Sequence, residues 1–210
     1  MSADEYPPPP VPARPSAAAI RTALSMCRAC DLWEPATQPV PGEGPRTARA
    51  MFVGEQPGDR EDLDGHPFVG PAGRVLDEAL SRAGIAREEV YLTNVVKHFR
   101  YTDRGKRRIH QKPDRWHVSA CLPWLEAEVK LVRPDALVLL GAVAGQGLLG
   151  SGLRVTRDRG KPMPSDLAQL VTVTTHPSAI LRMRGAPERT QAMDAFVADL
   201  RAVADWLSAH

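Results

Sequence analysis

The sequence predicts an α/β protein, a three-layer α/β/α sandwich around a central four-stranded parallel sheet. Three observations carry this expectation. Four short apolar runs, at 48–54, 90–96, 136–140 and 170–174, have the continuous hydrophobicity of strands covered on both faces. Helical patterns separate the runs, and strands that alternate with helices pair in parallel through crossover connections. The last segment, 187–209, repeats Met193, Phe196, Val197, Leu200, Val203 and Leu207 at three- and four-residue steps, a stripe that packs on a sheet.

The elements follow in chain order. Residues 1–15 hold six prolines. Proline donates no backbone hydrogen bond and fixes its own φ, so a disordered, extended tail is expected there, with one domain over 16–210. A helix is expected over 16–26. Cys27 and Cys30 follow as a C-x-x-C pair. The strand at 48–54 runs into Gly54-Glu55-Gln56-Pro57-Gly58-Asp59, where two glycines and a proline enforce a tight turn with a carboxylate and an amide at its entrance. Pro67-Phe68-Val69-Gly70-Pro71-Ala72-Gly73 sets one aromatic ring in a rigid loop of small residues. That ring can stack on a flat base or plug the core beneath the loop. A helix over 72–83 places Val75, Ala79 and Leu80 on one side.

The strand at 90–96 carries Asn94, whose amide offers a donor and an acceptor to the edge of a pyrimidine. Lys97 and His98 come next. From Lys97 to Arg115, eight Lys/Arg stand against two Asp, a local balance of +6 in a chain whose net charge is only +2. A basic segment on a mildly acidic body is the pattern of a phosphate-contacting loop, although a solvated surface loop has the same composition. Within it, His110 follows Lys106, Arg107 and Arg108. Cations nearby disfavour imidazolium, and a neutral imidazole is a nucleophile. The helix over 118–132 aligns Cys121, Trp124, Leu125 and Val129. After the strand at 136–140, Gly145, Gly147 and Gly150 form a G-x-G-x-x-G. It begins past the strand–helix turn, so a dinucleotide site is rejected. After the strand at 170–174 comes His176-Pro177-Ser178, placed to donate a hydrogen bond to an anion developing in the crevice, with Arg182 beyond it.

Composition bounds the rest. A 43% hydrophobic fraction supports a real core. No apolar run approaches the roughly 20 residues that cross a bilayer. The N-terminus lacks the basic start and apolar stretch of a secretory signal, so a cytoplasmic location is expected. Three cysteines are odd in number and suit a metal site better than disulfides. His98 and His117 are the candidate fourth ligands, and spacing alone leaves zinc and a four-iron cluster both open.

The turn at 54–58, the loop at 67–73, Thr93-Asn94-Val95-Val96-Lys97 and His176-Pro177-Ser178 together resemble the motifs of the iron–sulfur uracil-DNA glycosylases. They fall in the family's order, with C-x-x-C upstream and Cys121 downstream. The resemblance runs from about Cys27 to the end of the chain. Two departures resemble one branch, UdgX, which crosslinks itself to uracil-containing DNA. His98 stands where the usual enzymes have a cysteine, and the segment ending in Lys106-Arg107-Arg108-Ile109-His110 is absent from them. The resemblance implies a [4Fe-4S] cluster on Cys27, Cys30, His98 and Cys121, with His117 a bystander. It implies uracil excision from single- or double-stranded DNA and capture of the sugar C1′ by His110. Glu55 and Gln56 then position His110, Phe68 stacks on the base, Asn94 reads its edge and His176 stabilises the leaving group. Asp59 or Glu61 excludes the thymine methyl, Arg182 contacts a phosphate or buttresses the site, and Lys106, Arg107 and Arg108 hold the loop and the DNA backbone. No membrane or protein partner is implied, and a monomer is expected. An ordinary multiple-turnover glycosylase, a uracil-binding protein without chemistry and a zinc-stabilised nucleotide hydrolase are the alternatives.

Overall fold

A computed structural model describes residues 6–210. Four strands, β1 (Ala50–Gly54), β2 (Tyr91–Asn94), β5 (Ala136–Leu140) and β6 (Leu170–Thr174), form one parallel sheet in the order β2-β1-β5-β6. Every residue of all four strands is buried, which explains why the runs read as continuously apolar and not alternating. The expected fold is therefore the observed one.

Side chains alternate across the sheet and feed two cores. On one face Met51, Val53, Leu137, Leu139 and Val173 pack with helices α1 (Ala17–Ser25) and α4 (Arg115–Val132), and the three cysteines lie in this layer. On the other, Phe52, Leu92, Val138 and Leu140 pack with α3 (Pro71–Ala83) and α8 (Ala186–Ala209), whose stripe of Met193, Phe196, Val197, Leu200 and Val203 is buried as its spacing demands.

Local chemistry fixes the helix ends. The Ser16 hydroxyl accepts from Ala19 N–H at the start of α1. Pro71 occupies the first turn of α3, and Gly84 ends it in the left-handed region at φ 76°. Helix α4 starts three residues ahead of the expected 118 because Asp114 caps it, and it carries Pro123 inside. Gly145 and Gly147 lie within α5 (Gly141–Leu149), where an added Cβ would meet Leu153 and Val118 at 2.8 and 2.9 Å. They are packing glycines, in keeping with the rejected dinucleotide site.

Two features differ from the sequence reading. The basic segment is a two-stranded antiparallel hairpin, β3 (Tyr101–Arg104) and β4 (Arg107–His110), with Tyr101 opposite His110. Residues 6–15, in the tail expected to be disordered, form no helix or strand. Nonetheless Tyr6 stacks on Trp116 with ring centroids 5.6 Å apart, and Val11 packs on the core, so this part lies against the domain. Residues 1–5 of that tail lie outside the described residues. Short helices α2 (Asp59–Asp64), α6 (Val155–Asp158) and α7 (Pro177–Leu181) complete the chain.

Candidate active site

The strand order reverses between β1 and β5, and in open parallel sheets ligands bind beyond the carboxyl ends at that point. Glu55, Gln56, Asn94 and His176 all follow or end strands there. The open depression lined by Lys130, Arg133, Asp135 and Gln169 is at the opposite end of the sheet.

Gly54 makes the floor. A Cβ there would come within 2.3 Å of Asn94 Oδ1 and 2.7 Å of Phe68 Cζ, so amide and ring converge over bare backbone. Phe68 is buried and belongs to the second core, yet its ring edge faces this space. Its backbone is left-handed, φ 56°, a strained conformation for a non-glycine residue. Arg87 holds it there. Its guanidinium donates to the carbonyls of Phe68 and Pro67 at 3.2 and 3.4 Å and pairs with Asp77. The His176 ring lies 6.5 Å from that of Phe68, centroid to centroid.

His176 has a defined tautomer. Ser178 N–H donates to its Nδ1 at 3.2 Å, so Nδ1 bears the lone pair and the neutral ring carries its proton on Nε2. Burial first, then the charges of Arg182 and His110, hold its pKa down at about 4. A neutral N–H donor therefore faces the crevice. The Arg182 guanidinium donates to Ser178 Oγ at 3.1 Å, and that oxygen is 2.8 Å from Nδ1.

His110 ends β4, half exposed, with Nε2 3.4 Å from Glu55 Oε1. No hydrogen bond reaches that buried carboxylate oxygen. Burial pushes the Glu55 pKa up, against the pull of Lys112 and Arg182. The His110 pKa is lowered, first by burial and then by Arg182, against a hydrogen bond to its own backbone. The direction was expected, but the cause is corrected. Arg182, remote in sequence, is the cation that acts on it, because Lys106 and Arg107 are exposed near the hairpin turn and Arg108 faces the domain.

Arg108 latches the hairpin. Its guanidinium donates to Asp59 Oδ1 and Asp62 Oδ2, both at 2.6 Å, and its charge lies over the rings of Tyr101 and Phe99 at 5.0 and 5.5 Å. Of the two roles expected of it, holding the loop is the one these contacts serve. Gln56 clamps the other end. Its Nε2 donates to the carbonyls of Arg100 and Gln111 at 3.1 and 3.0 Å, and its Oε1 accepts from Arg100 N–H at 3.2 Å. Glu61 spends both oxygens on Gly58 N–H and Gly70 N–H, and Asp59 is paired with Arg108. Both carboxylates are thus held in place by these bonds. The two support loops.

Cys27, Cys30, Cys121 and His98 are all buried. Burial raises the thiol pKa of Cys30 to about 11 and of Cys121 to about 12, so these sulfurs need a cationic partner to ionise. Two N–H donors aim at them, Trp124 Nε1 at Cys27 Sγ and Lys97 N at Cys121 Sγ, each at 3.3 Å. Among the described residues no three His, Cys, Asp or Glu side chains converge on a single ion. Three buried thiols with N–H donors on two of them fit a polynuclear cluster, whose ligands bind different irons and need not converge. His117 is occupied elsewhere. It takes Asp114 N–H on Nδ1 at 2.9 Å, and its Nε2 lies 2.7 Å from Asp31 Oδ1.

Sequence reasoning passed over Arg87, Lys112 and Glu128, and it named Thr93, Lys97 and Ser178 only as motif residues, with no role. Glu128 left a signal: it continues the apolar face of Cys121, Trp124 and Leu125 at helical spacing, and a carboxylate in that position has to find a partner.

Residues 41–201 match the family described as the Uracil DNA glycosylase superfamily. The chain is 40% identical over 162 residues to the type-4 uracil-DNA glycosylase of Thermotoga maritima, covering 77% of this chain and 81% of that enzyme. With the type-4 enzyme of Pyrobaculum aerophilum it shares 37% over 180 residues, covering 81% and 88%. With that of Sulfurisphaera tokodaii it shares 34% over 170 residues, covering 77% and 74%.

Proposed function

This chain belongs to the uracil DNA glycosylase superfamily, and from that premise we propose that it cleaves uracil from DNA and is left covalently joined to the DNA through His110. The observation that carries the second half is His110 Nε2 poised 3.4 Å from Glu55 Oε1 on a hairpin fastened at both ends.

Uracil flipped from the helix, or taken from a single strand, enters the space over Gly54. Phe68 covers its face and Asn94 pairs with its edge. The C1′–N1 bond breaks and its electron pair leaves with the base, while the neutral His176 Nε2–H donates to the base oxygen as negative charge grows there. Preorganisation favours this arrangement, because Ser178 and Arg182 already fix the ring. The sugar is left as an oxocarbenium ion beside Glu55, whose carboxylate stabilises it. The Nε2 lone pair of His110 then closes a new C1′–N bond. The imidazolium so formed sheds its remaining ring proton to solvent, and the departing uracil anion gains one. Water would give an abasic sugar and a free enzyme, whereas imidazole gives an N-glycosyl bond with no built-in release.

Cys27, Cys30, His98 and Cys121 would hold a [4Fe-4S] cluster that ties the segment after Asn94 to α4. Its contribution is structural. Lys106 and Arg107 are the loop cations left to meet phosphate, a salt-sensitive contribution.

The test is a denaturing gel after boiling wild type and His110→Ala with a uracil-containing oligonucleotide. A shifted band for wild type alone supports capture by His110. Free uracil accumulating past one per protein with no shifted band would establish water as the acceptor, as in an ordinary glycosylase.

A further inference from the structure

The Lys97 and Glu128 side chains are both fully buried, with Nζ and Oε2 2.7 Å apart. Desolvating two charges costs about as much as their attraction returns, and a well-packed apolar pair is often at least as stable. Stability alone is therefore a weak reason for this pair. What it touches is more telling. Lys97 Nζ uses its three donors on Glu128 Oε2, on Thr93 Oγ1 at 2.7 Å and on the Asn94 carbonyl at 2.8 Å. The Thr93 hydroxyl donates to Glu128 Oε2 at 2.7 Å, and Glu128 Oε1 accepts from Gly42 N–H at 2.8 Å.

The Asn94 carbonyl needs such a partner. Strand β2 is at the sheet edge, and Val95 N–H turns inward to Gly54 O at 2.9 Å. Neighbouring residues of a strand alternate in the direction of their backbone groups, so Asn94 presents its carbonyl away from β1, toward the side where residues 40–43 pair with Leu92 and Lys97 but not with Asn94. Without Lys97 a buried carbonyl would lack a partner at the residue whose side-chain amide meets Phe68 over Gly54. Lys97 N–H also donates to Cys121 Sγ, so one residue grips both the cysteine layer and the base pocket.

We infer that the buried Lys97–Glu128 pair positions Asn94 for base recognition: it fixes the main chain at the end of β2 so that the amide meets a pyrimidine edge in one orientation. This rests on the reading of Asn94 as the uracil-edge contact. Lys97, Glu128 and Thr93 are positioning residues, because none of them reaches the base.

The experiment compares wild type with the double variant Lys97→Met/Glu128→Leu, which removes both charges and keeps the volume. Iron content, melting temperature, excision of uracil against cytosine, and the crystallographic position of the Asn94 amide are measured. The inference expects retained iron and folding, an Asn94 amide displaced from its place over Gly54, and a loss in the second-order rate constant of single-turnover uracil excision of at least about tenfold, as misplacement of a recognition group produces. The uracil-over-cytosine ratio should fall with it, a change that loss of stability alone would not bring. An unmoved amide with wild-type selectivity overturns the inference. Wild type inert on uracil would instead overturn the functional reading, and the position of Asn94 in the variant would still decide this one. If the double variant fails to fold, Lys97→Met/Glu128→Gln, which removes both charges and the donor to the Asn94 carbonyl but keeps an amide beside Gly42 N–H and Thr93 Oγ1, takes the same measurements. An unmoved amide and unchanged selectivity there overturn the inference as well.

Discussion

The proposed capture by His110 requires a neutral ring. Burial and Arg182 lower its pKa below the ordinary histidine value of 6.5, so the neutral form survives somewhat below that pH. The sign follows directly. Protonation removes the lone pair, so adduct formation should hold on the alkaline side and fall as pH drops through the lowered pKa. Arg182→Gln removes the cation second in importance to burial, lets the pKa rise, and should move the acidic limb toward neutrality. Single-turnover crosslinking rates from pH 4.5 to 8 would check this (roughly the span over which a histidine titrates). An acidic limb unmoved by Arg182→Gln would remove Arg182 from control of His110. His110→Gly makes a companion prediction. With the imidazole gone and Glu55 kept, water reaches C1′, the adduct disappears and uracil release becomes catalytic, which multiple-turnover release assays would detect.

At the scale of elements, a short two-stranded hairpin has little stability of its own, so β3–β4 depends on what fastens it to the domain. Gln56→Ala leaves Arg100 N–H and the Gln111 carbonyl without their partner, while the Arg100 carbonyl keeps Gln111 N–H, a local cost of about 1–3 kcal/mol. Amide exchange across 101–110 should accelerate by about tenfold or more, since about 1.4 kcal/mol is a factor of ten. Crosslinking should slow while the melting temperature hardly moves, because only the hairpin loosens. Arg108→Ala should act differently. It takes the ion-pair partner from the fully buried Asp62 carboxylate and leaves it only Thr37 N–H, so global stability should also fall, by about 1–3 kcal/mol in denaturant titration. Equal behaviour of the two variants would refute the division into clamp and latch. These contacts also mark the limit of what the sequence disclosed. Strands buried on both faces and the helix stripe at Met193–Leu207 left periodicities that could be read directly. The partners of Gln56 and Arg108 left none, since they join residues 44 to 55 and 46 to 49 positions apart. Composition identified three cations near His110. Only folding shows that one of them turns to Asp59 and Asp62 and that Arg182 takes its place beside the ring.

At the scale of the whole molecule, the sheet divides the interior into two cores, and the proposed cluster belongs to one. Cys27 and Cys30 follow α1, His98 follows β2 and Cys121 lies in α4, so a cluster there would join three elements of the same layer. The opposite layer, α3 and α8 on Phe52, Val138 and Leu140, has no cysteine and would meet such a cluster only through the sheet. Loss of the cluster should therefore be asymmetric. Cys121→Ser should abolish bound iron and the brown colour. Without the cations, burial favours neutral thiols, and the remaining sulfurs protonate. Amide exchange should rise by about tenfold or more in the C-terminal part of α1, in residues 27–33 and in 95–99, while α3 and α8 keep their protection. Because Lys97 lies between His98 and the Asn94 carbonyl, the same loosening should reach the base pocket and weaken binding of uracil-containing DNA before the protein unfolds. Uniform loss of protection through both layers would mean that the cluster stabilises the fold as a whole. Iron loss with no change in exchange at 95–99 would mean that the cysteine layer and the pocket are independent, and that the segment from Asn94 to His98 is held by the Lys97–Glu128 pair alone.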